Sequence, residues 1–312
     1  MKERKSVMKY SVFTVSTPEY NVDDTVSLLT QLGYNGVEWR VSNPAPEIIP
    51  QTYDYSSRYW SFNKSTLSLD NILEIASDIK QKCKASNLEI LSLTTYLLPA
   101  DKEKILNVVK AADIVGCRNV RVNVPKYDSS AGYISLLNES IKNTKEVLND
   151  IKDMGVRINF ETHHGNITPS ASSMYRFVSN FDPEDVGVIY DPGNMVYEGY
   201  ENYEMGLEIL GDYLAYIHVK NALWRQTYKY PLPTEEFGVG IDKLDGKLDS
   251  EWNIQWCPPD KGFVNFEKLA VALKKIGYSG YVSVEDFSNE KDTITKLIDN
   301  LKYLKNIFKE ND

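Results

Sequence analysis

Eight short apolar runs recur along the chain, each followed by a stretch whose apolar residues are spaced for one face of a helix. The runs cover residues 10–15, 36–40, 89–96, 119–124, 157–163, 186–191, 214–220 and 281–286. The stretches between them carry stripes such as Ile72, Ile75, Ala76, Ile79 and Cys83, or Ile294, Leu297, Ile298, Leu301 and Leu304. That i, i+3, i+4 spacing is the mark of an amphipathic helix. The runs themselves are nearly continuous in apolar character, as strands of a parallel sheet must be when helices cover it. Glycine marks the passage from helix to strand: Leu32-Gly33-Tyr34-Asn35-Gly36-Val37-Glu38 is echoed by Ile276-Gly277-Tyr278-Ser279-Gly280-Tyr281, and Gly116 and Gly155 stand in equivalent places. Eight such units without a break in composition predict an α/β fold, a (β/α)₈ TIM barrel spanning 1–312 as a single domain. Two connections, about 41–65 and 222–262, are long and rich in Tyr, Trp and Pro, and read as functional lids. No GxGxxG or P-loop follows the first run, so a nucleotide-binding sheet loses its main support.

Charge and cysteine usage narrow the partners. Lys and Arg total 35 against 44 Asp and Glu, a formal net charge of −9, which is a poor footing for gripping nucleic acid. Cys83, Cys117 and Cys257 form no CxxC pair and no disulfide framework, as expected of a reducing compartment. Residues 1–9 are charged and lack the apolar core of a signal peptide, and no run approaches the length of a membrane span. These features predict a cytoplasmic protein acting on a small molecule, without nucleic acid or membrane; whether it forms a homo-oligomer is left open.

In a barrel of this kind the active site lies at the C-terminal ends of the strands. Those ends carry Glu38-Trp39-Arg40, Arg121 and Asn123, Glu161-Thr162-His163-His164, Asp191-Pro192-Gly193-Asn194, His218-Val219-Lys220-Asn221 and Glu285-Asp286. All 3 histidines of the chain fall there. Singly, each has an ordinary reading: an acid at a strand end caps a helix or meets solvent, Asp191 before Pro-Gly shapes a turn, and a lysine pairs with an acid. Jointly, Glu161, Asp191, His218 and Glu285 on four successive strands form a plausible ligand set for one divalent cation. Three oxygens and one imidazole suit Mn²⁺ first, with Mg²⁺ or Co²⁺ as alternatives; Zn²⁺ more often brings further His or Cys. Without a cation these acids would repel one another.

The order Gly36-Val37-Glu38, Glu161-x-His163, Asp191-x-Gly193-Asn194, His218-x-Lys220 and Val284-Glu285 resembles the xylose isomerase-like TIM barrel superfamily, and within it the sugar phosphate isomerase/epimerase family. The resemblance covers nearly the whole chain. It implies metal ligation by Glu161, Asp191, His218 and Glu285, with Glu161 and Glu285 as the catalytic acid–base pair. It implies substrate contacts for Glu38, Arg121, His163 and Asn194, and Lys220 follows the family's His-x-Lys. Asn194 stands where related enzymes often have histidine, and Asn221 where they often have an acid. Strand alternation favours His163 over His164 as the imidazole facing the site.

The chemistry expected is proton transfer alpha to a carbonyl of a sugar, through an enediolate, by a metal-dependent isomerase or epimerase. Arg121 and Lys220 could hold a substrate anion or hydroxyl groups, and Trp39, Tyr53, Tyr55, Trp60, Trp224 and Trp256 could wall the site. An inosose-type dehydratase begins with the same step and is the alternative enzyme. A non-catalytic sugar-binding barrel is the alternative from another class.

Overall fold

The structure, a computed structural model, describes residues 8–228 and 250–308. Its eight parallel barrel strands are β1 (Lys9–Phe13), β2 (Gly36–Ser42), β3 (Glu89–Thr94), β4 (Asn119–Arg121), β5 (Arg157–Glu161), β6 (Val186–Tyr190), β7 (Leu214–Val219) and β8 (Tyr281–Val284). Ser11 of β1 lies opposite Gly36 of β2 on one side and Ser283 of β8 on the other, which closes the sheet into a barrel. The amphipathic stretches form the surrounding helices Val22–Leu32, Ile72–Ala85, Lys102–Val115, Tyr133–Ile151, Ala171–Val178, Tyr203–Leu210, Phe266–Lys275 and Thr293–Ile307. Gly33 and Gly116 end their helices in the left-handed conformation, at φ 84° and 78°, a backbone state that costs glycine nothing.

Strand alternation divides the burial. Val37, Trp39, Val120, Ile158, Phe160, Val188, Ile217, Val219, Val282 and Val284 belong to one apolar cluster with the helices. The intervening residues Glu38, Thr94, Arg121, Asn159, Glu161, His218 and Ser283 are buried too, and they are polar. Much of the barrel interior is therefore polar and must satisfy itself across strands, beside a small apolar cluster of Leu91, Ile189 and Tyr216. Register shifts interrupt β2–β3 pairing at Val37/Glu38 and β6–β7 pairing at Val188/Ile189. Such irregularities re-aim side chains, and both precede residues of the site.

Two features differ from the sequence expectation. The strands stop short of the apolar runs: 119–124 yields Asn119–Arg121, 157–163 yields Arg157–Glu161, and 281–286 yields Tyr281–Val284. The segment 222–262 is no open loop, because Asn221–Tyr228 and Ser250–Cys257 pair as antiparallel strands with Asn221 opposite Cys257; residues 229–249 lie outside the described residues. In 41–65, Tyr55–Tyr59 forms a 3₁₀ turn, and Leu67–Ser68 just beyond it pairs with the end of β2.

Candidate metal centre

Glu161 closes β5, Asp191 follows β6, His218 lies in β7 and Glu285 follows β8. All four side chains are buried, and one donor atom from each lies within 4.8 Å of the others. That spread is about twice a metal–ligand bond of 2.0–2.6 Å. His218 Nδ1 is 3.3 Å from Glu161 Oε1, 3.3 Å from Glu285 Oε2 and 3.7 Å from Asp191 Oδ2. A buried convergence of three carboxylates and one imidazole nitrogen fits a divalent cation in both donor chemistry and spacing.

Groups beneath the cluster decide which atoms face inward. Glu38, at 0% exposure, lies behind the imidazole. Its Oε1 accepts from Thr94 Oγ1 at 2.7 Å and Tyr216 OH at 2.8 Å, and its Oε2 accepts from Ser283 Oγ at 2.7 Å. His218 Nε2 donates to Glu38 Oε2 at 3.1 Å. With the Nε2 proton engaged, Nδ1 is the nitrogen turned toward the three acids, the arrangement by which a carboxylate orients a metal-binding histidine. Glu38, for which the resemblance implies substrate contact, is thus engaged by Thr94, Tyr216, Ser283 and His218.

Asn194 is enclosed in the same way. Its Nδ2 donates to Glu161 Oε1 at 2.9 Å and Asp191 Oδ2 at 2.8 Å, while its Oδ1 accepts from His164 Nδ1 at 2.8 Å. Asp191 serves two purposes: Oδ1 accepts from the backbone N–H of Asn194, capping the short helix Pro192–Tyr197, and Oδ2 faces the cluster. Gly193 lies so close to Lys220 that a Cβ there would sit 2.5 Å from the Lys220 carbonyl oxygen. The Asp-Pro-Gly-Asn sequence is thus a turn signal and a site at once.

Cations offset the acids. Arg121 Nη2 is 2.6 Å from Glu161 Oε2, and Lys220 Nζ is 2.6 Å from both Asp191 Oδ2 and Glu285 Oε2. Burial opposes ionisation of Glu161, but Arg121, then His218 and Lys220, outweigh it and hold the carboxyl well below its usual range. Burial is likewise outweighed at Glu285, where Lys220 and His218 hold the carboxyl down to about 2. At Asp191 burial prevails over Lys220, and the carboxyl is pushed up to about 7. Three close carboxylates with limited cationic charge share protons in this way. Glu38 and Glu161 raise His218 well above its ordinary value despite burial.

Above the cluster stands an aromatic wall. Trp256 lies 5.3 Å from the Tyr197 ring and 5.8 Å from Phe287; Phe287 lies 5.3 Å from Trp60. The Trp256 ring is 5.3 Å from Lys220 Nζ. Of the aromatic residues expected there, Trp60 and Trp256 line the mouth and Trp224 borders it, its Nε1 donating to Val196 O at 3.1 Å. Trp39 belongs to the outer core, Tyr53 packs on Phe62 at 4.7 Å, and Tyr55 lies under the Arg58 guanidinium at 3.9 Å. Tyr197 and Phe287 join this wall although nothing in their own spacing separates a wall from a core residue. Both His163 and His164 are half-buried. His163 Nδ1 donates to the His164 carbonyl at 2.7 Å, and it is His164 that joins the cluster through Asn194. His163, lowered to about 4 by burial, also lies within the field of Glu161, Lys220 and Arg121.

Asn221, where relatives often carry an acid, has a structural use. Its Nδ2 donates to Pro259 O at 2.8 Å and Val264 O at 3.0 Å, and its Oδ1 accepts from the backbone N–H of Val264 at 2.9 Å. A carboxylate could not donate to those two carbonyls.

Comparison with known proteins agrees with this architecture. The chain is 24% identical over 134 residues to an inosose dehydratase of Geobacillus kaustophilus, 43% of this chain and 40% of that protein. It is 26% identical over 190 residues to a 2-oxo-tetronate isomerase of Haemophilus influenzae, 59% of this chain and 60% of that protein. The matches thus span about two fifths to three fifths of these relatives' lengths. Among solved structures, the IOLI protein with a binding zinc atom superposes with a TM-score of 0.69 at 17% identity, covering 97% of this chain and 99% of that one. The sequence profile of the xylose isomerase-like TIM barrel matches residues 26–307. With that profile spanning nearly all of the closed barrel, the chain belongs to the xylose isomerase-like TIM barrel family.

Proposed function

We propose that the chain is an isomerase or epimerase of a sugar or sugar derivative, moving a proton alpha to a carbonyl. Glu161, Asp191, His218 and Glu285 would hold one divalent cation. The observation that carries this reading is the convergence of Glu161 and Glu285 on His218, each with a carboxylate oxygen 3.3 Å from Nδ1. When bound, a divalent cation supplies Lewis-acid polarisation of the substrate's carbonyl and neighbouring hydroxyl oxygens. Mn²⁺ is the ion proposed, with Mg²⁺, Co²⁺ or Zn²⁺ as substitutes.

The chain's own groups do the rest. Arg121 keeps Glu161 ionised and Lys220 keeps Glu285 ionised, so one carboxylate can accept the alpha proton while the other, having first taken a proton from solvent, delivers it to the enediolate; the first then returns its proton to solvent. Asn194 Nδ2 fixes Glu161 Oε1, and Glu38 retains the Nε2 proton of His218. Trp60, Trp256 and Phe287 exclude water from the reacting carbon. Dehydration of an inosose begins with the same proton removal, and likeness to an inosose dehydratase makes it the second reading. Cys83, Cys117 and Cys257 are all free and buried, which supports the cytoplasm as the compartment.

Incubating the Mn²⁺-loaded protein with ketoses and inososes in heavy water tests the proposal. Deuterium gained with the carbon skeleton and oxygens retained is the expected result. Loss of water would assign the dehydratase, and no exchange across the panel would leave a sugar-binding barrel. Glu161→Gln and Glu285→Gln should each abolish exchange; full activity of either variant refutes the pair.

A further inference from the structure

Among the described residues the buried Lys and Arg side chains are Arg40, Arg58, Arg121, Lys220 and Lys296. Arg58 pairs with Glu19 at 2.6 Å, Arg121 with Glu161 at 2.6 Å, and Lys220 with Asp191 and Glu285 at 2.6 Å. Lys296 gives its protons to the carbonyls of Asp286 and Ser288, both at 3.0 Å, and to Tyr59 OH at 3.4 Å. Arg40 alone has neither solution. It is 6% exposed, its Nη1 donates to Thr66 Oγ1 at 2.5 Å, and its Nε is buried with no acceptor. No carboxylate among the described residues comes within ion-pair distance of it. A guanidinium kept from water without a counter-charge is unfavourable. The rings of Trp60 and Tyr96, 5.9 and 5.4 Å from its central carbon, attract it but do not neutralise it.

The location indicates what the missing charge is. Arg40 follows Glu38 by two residues on β2, so it points to the same interior face, one step nearer the mouth. Trp60 belongs to the aromatic wall and is 40% exposed. The Tyr96 ring that borders Arg40 also lies 5.3 Å from the Arg121 guanidinium carbon, and Arg121 holds Glu161. Arg40 and Arg121 thus both lie against the Tyr96 ring, and Arg121 holds the carboxylate proposed to transfer the proton.

We infer that Arg40 receives an anionic substituent of the substrate, a carboxylate or phosphate at the end of the molecule remote from the carbon that exchanges its proton. This rests on the isomerase or epimerase reading above. The planar fork of guanidinium suits either anion. Arg40 would then select acidic or phosphorylated sugars over neutral ones, a selection the metal ligands do not make by themselves.

Calorimetric titration of the Mn²⁺-loaded full chain with two pairs of ligands is the test: D-fructose against D-fructose 6-phosphate, and D-glucose against D-glucuronate. At least one anionic member should bind tenfold or more tighter than its neutral partner, and the pair that does so separates phosphate from carboxylate. Arg40→Met should abolish that preference and leave the neutral sugar's affinity unchanged, while Arg40→Lys should keep part of it. Thermal unfolding of both variants guards against a folding defect. No preference in the unaltered protein, a preference that survives in Arg40→Met, or no binding of either member of both pairs overturns the inference. The heavy-water exchange of neutral sugars is independent of this result, so failure of the anion pocket and failure of the proposed reaction are read separately.

Discussion

Replacing Gly193 with alanine adds one methyl group where the Asp191 turn crosses the end of β7. That carbon would sit 2.5 Å from the Lys220 carbonyl oxygen, 2.7 Å from the carbonyl carbon and 2.9 Å from the Lys220 Cβ. Carbon packs at about 3.5–4.0 Å, so roughly 1 Å of relief is needed. The obstacle is mostly backbone and cannot rotate aside. The helix Pro192–Tyr197 must lift away from β7, taking Asp191 and Asn194 with it. Overpacking of this kind costs about 1–3 kcal/mol, which lowers the melting temperature of a chain this size by several degrees. The displacement also exceeds the tolerance of about 0.2 Å within which metal bonds are made. Affinity for Mn²⁺ should therefore fall at least about tenfold, the lower end of what disturbing a ligand's support costs. Titration calorimetry with Mn²⁺ and thermal unfolding read the two effects separately. Gly206→Ala is the internal control: its methyl meets Ala171 Cβ at 3.2 Å inside the helix Tyr203–Leu210. There the helix preference for alanine, about 1 kcal/mol, offsets mild crowding, and metal affinity should not change. Retention of both melting temperature and Mn²⁺ affinity in Gly193→Ala, or equal losses in the two variants, would refute the reasoning.

Other outcomes follow from the same geometry. Glu38→Gln should weaken Mn²⁺ binding roughly 10–100-fold with the fold intact, because an amide can present an N–H to His218 Nε2 and release the tautomer; unchanged affinity, with an unchanged ¹⁵N signature of His218, contradicts that role. Asp191, pushed up to about 7 by burial, must lose its proton to ligate. Mn²⁺ affinity should therefore rise at least about tenfold per pH unit below that value and keep rising above it, because His218, raised well above its ordinary value, must also release its Nδ1 proton to ligate; a pH-independent affinity between 5 and 7 counts against Asp191 as a ligand. Asn221→Asp should destabilise the protein by about 1–3 kcal/mol, since the carbonyls of Pro259 and Val264 would lose their donor and face an anion; a melting temperature equal to the parent's removes the amide's role at the hairpin root.

The eight strands and the four candidate metal ligands could be read from sequence for local reasons. A strand buried against helices shows its apolar residues in its own run, a helix shows its stripe in its own spacing, and chemistry at strand ends is visible once the strands are placed. The hairpin Asn221–Tyr228 with Ser250–Cys257 reads as a loop in sequence although Ala222, Trp224 and Gln226 alternate faces with their neighbours. Its partner strand lies beyond residues 229–249, and no tight-turn signal joins the two.

The tasks of individual polar residues were decided by the tertiary structure. Glu38 looks the same in sequence whether it faces the mouth or stands behind an imidazole. Its partners Thr94, Tyr216 and Ser283 are 56, 178 and 245 residues away, and barrel closure alone brings them together. The same holds for Asn194 tied to His164, for the charges divided among Glu161, Asp191 and Glu285, and for Arg40, which meets no carboxylate among the described residues. Periodicity and residue type are properties of a segment, so the sequence by itself determined the barrel and the chemistry available at its rim. Which buried polar group meets which partner depends on strands distant in the chain, so only the folded barrel decided which side chains support the candidate ligands from behind, and which one meets no carboxylate among the described residues.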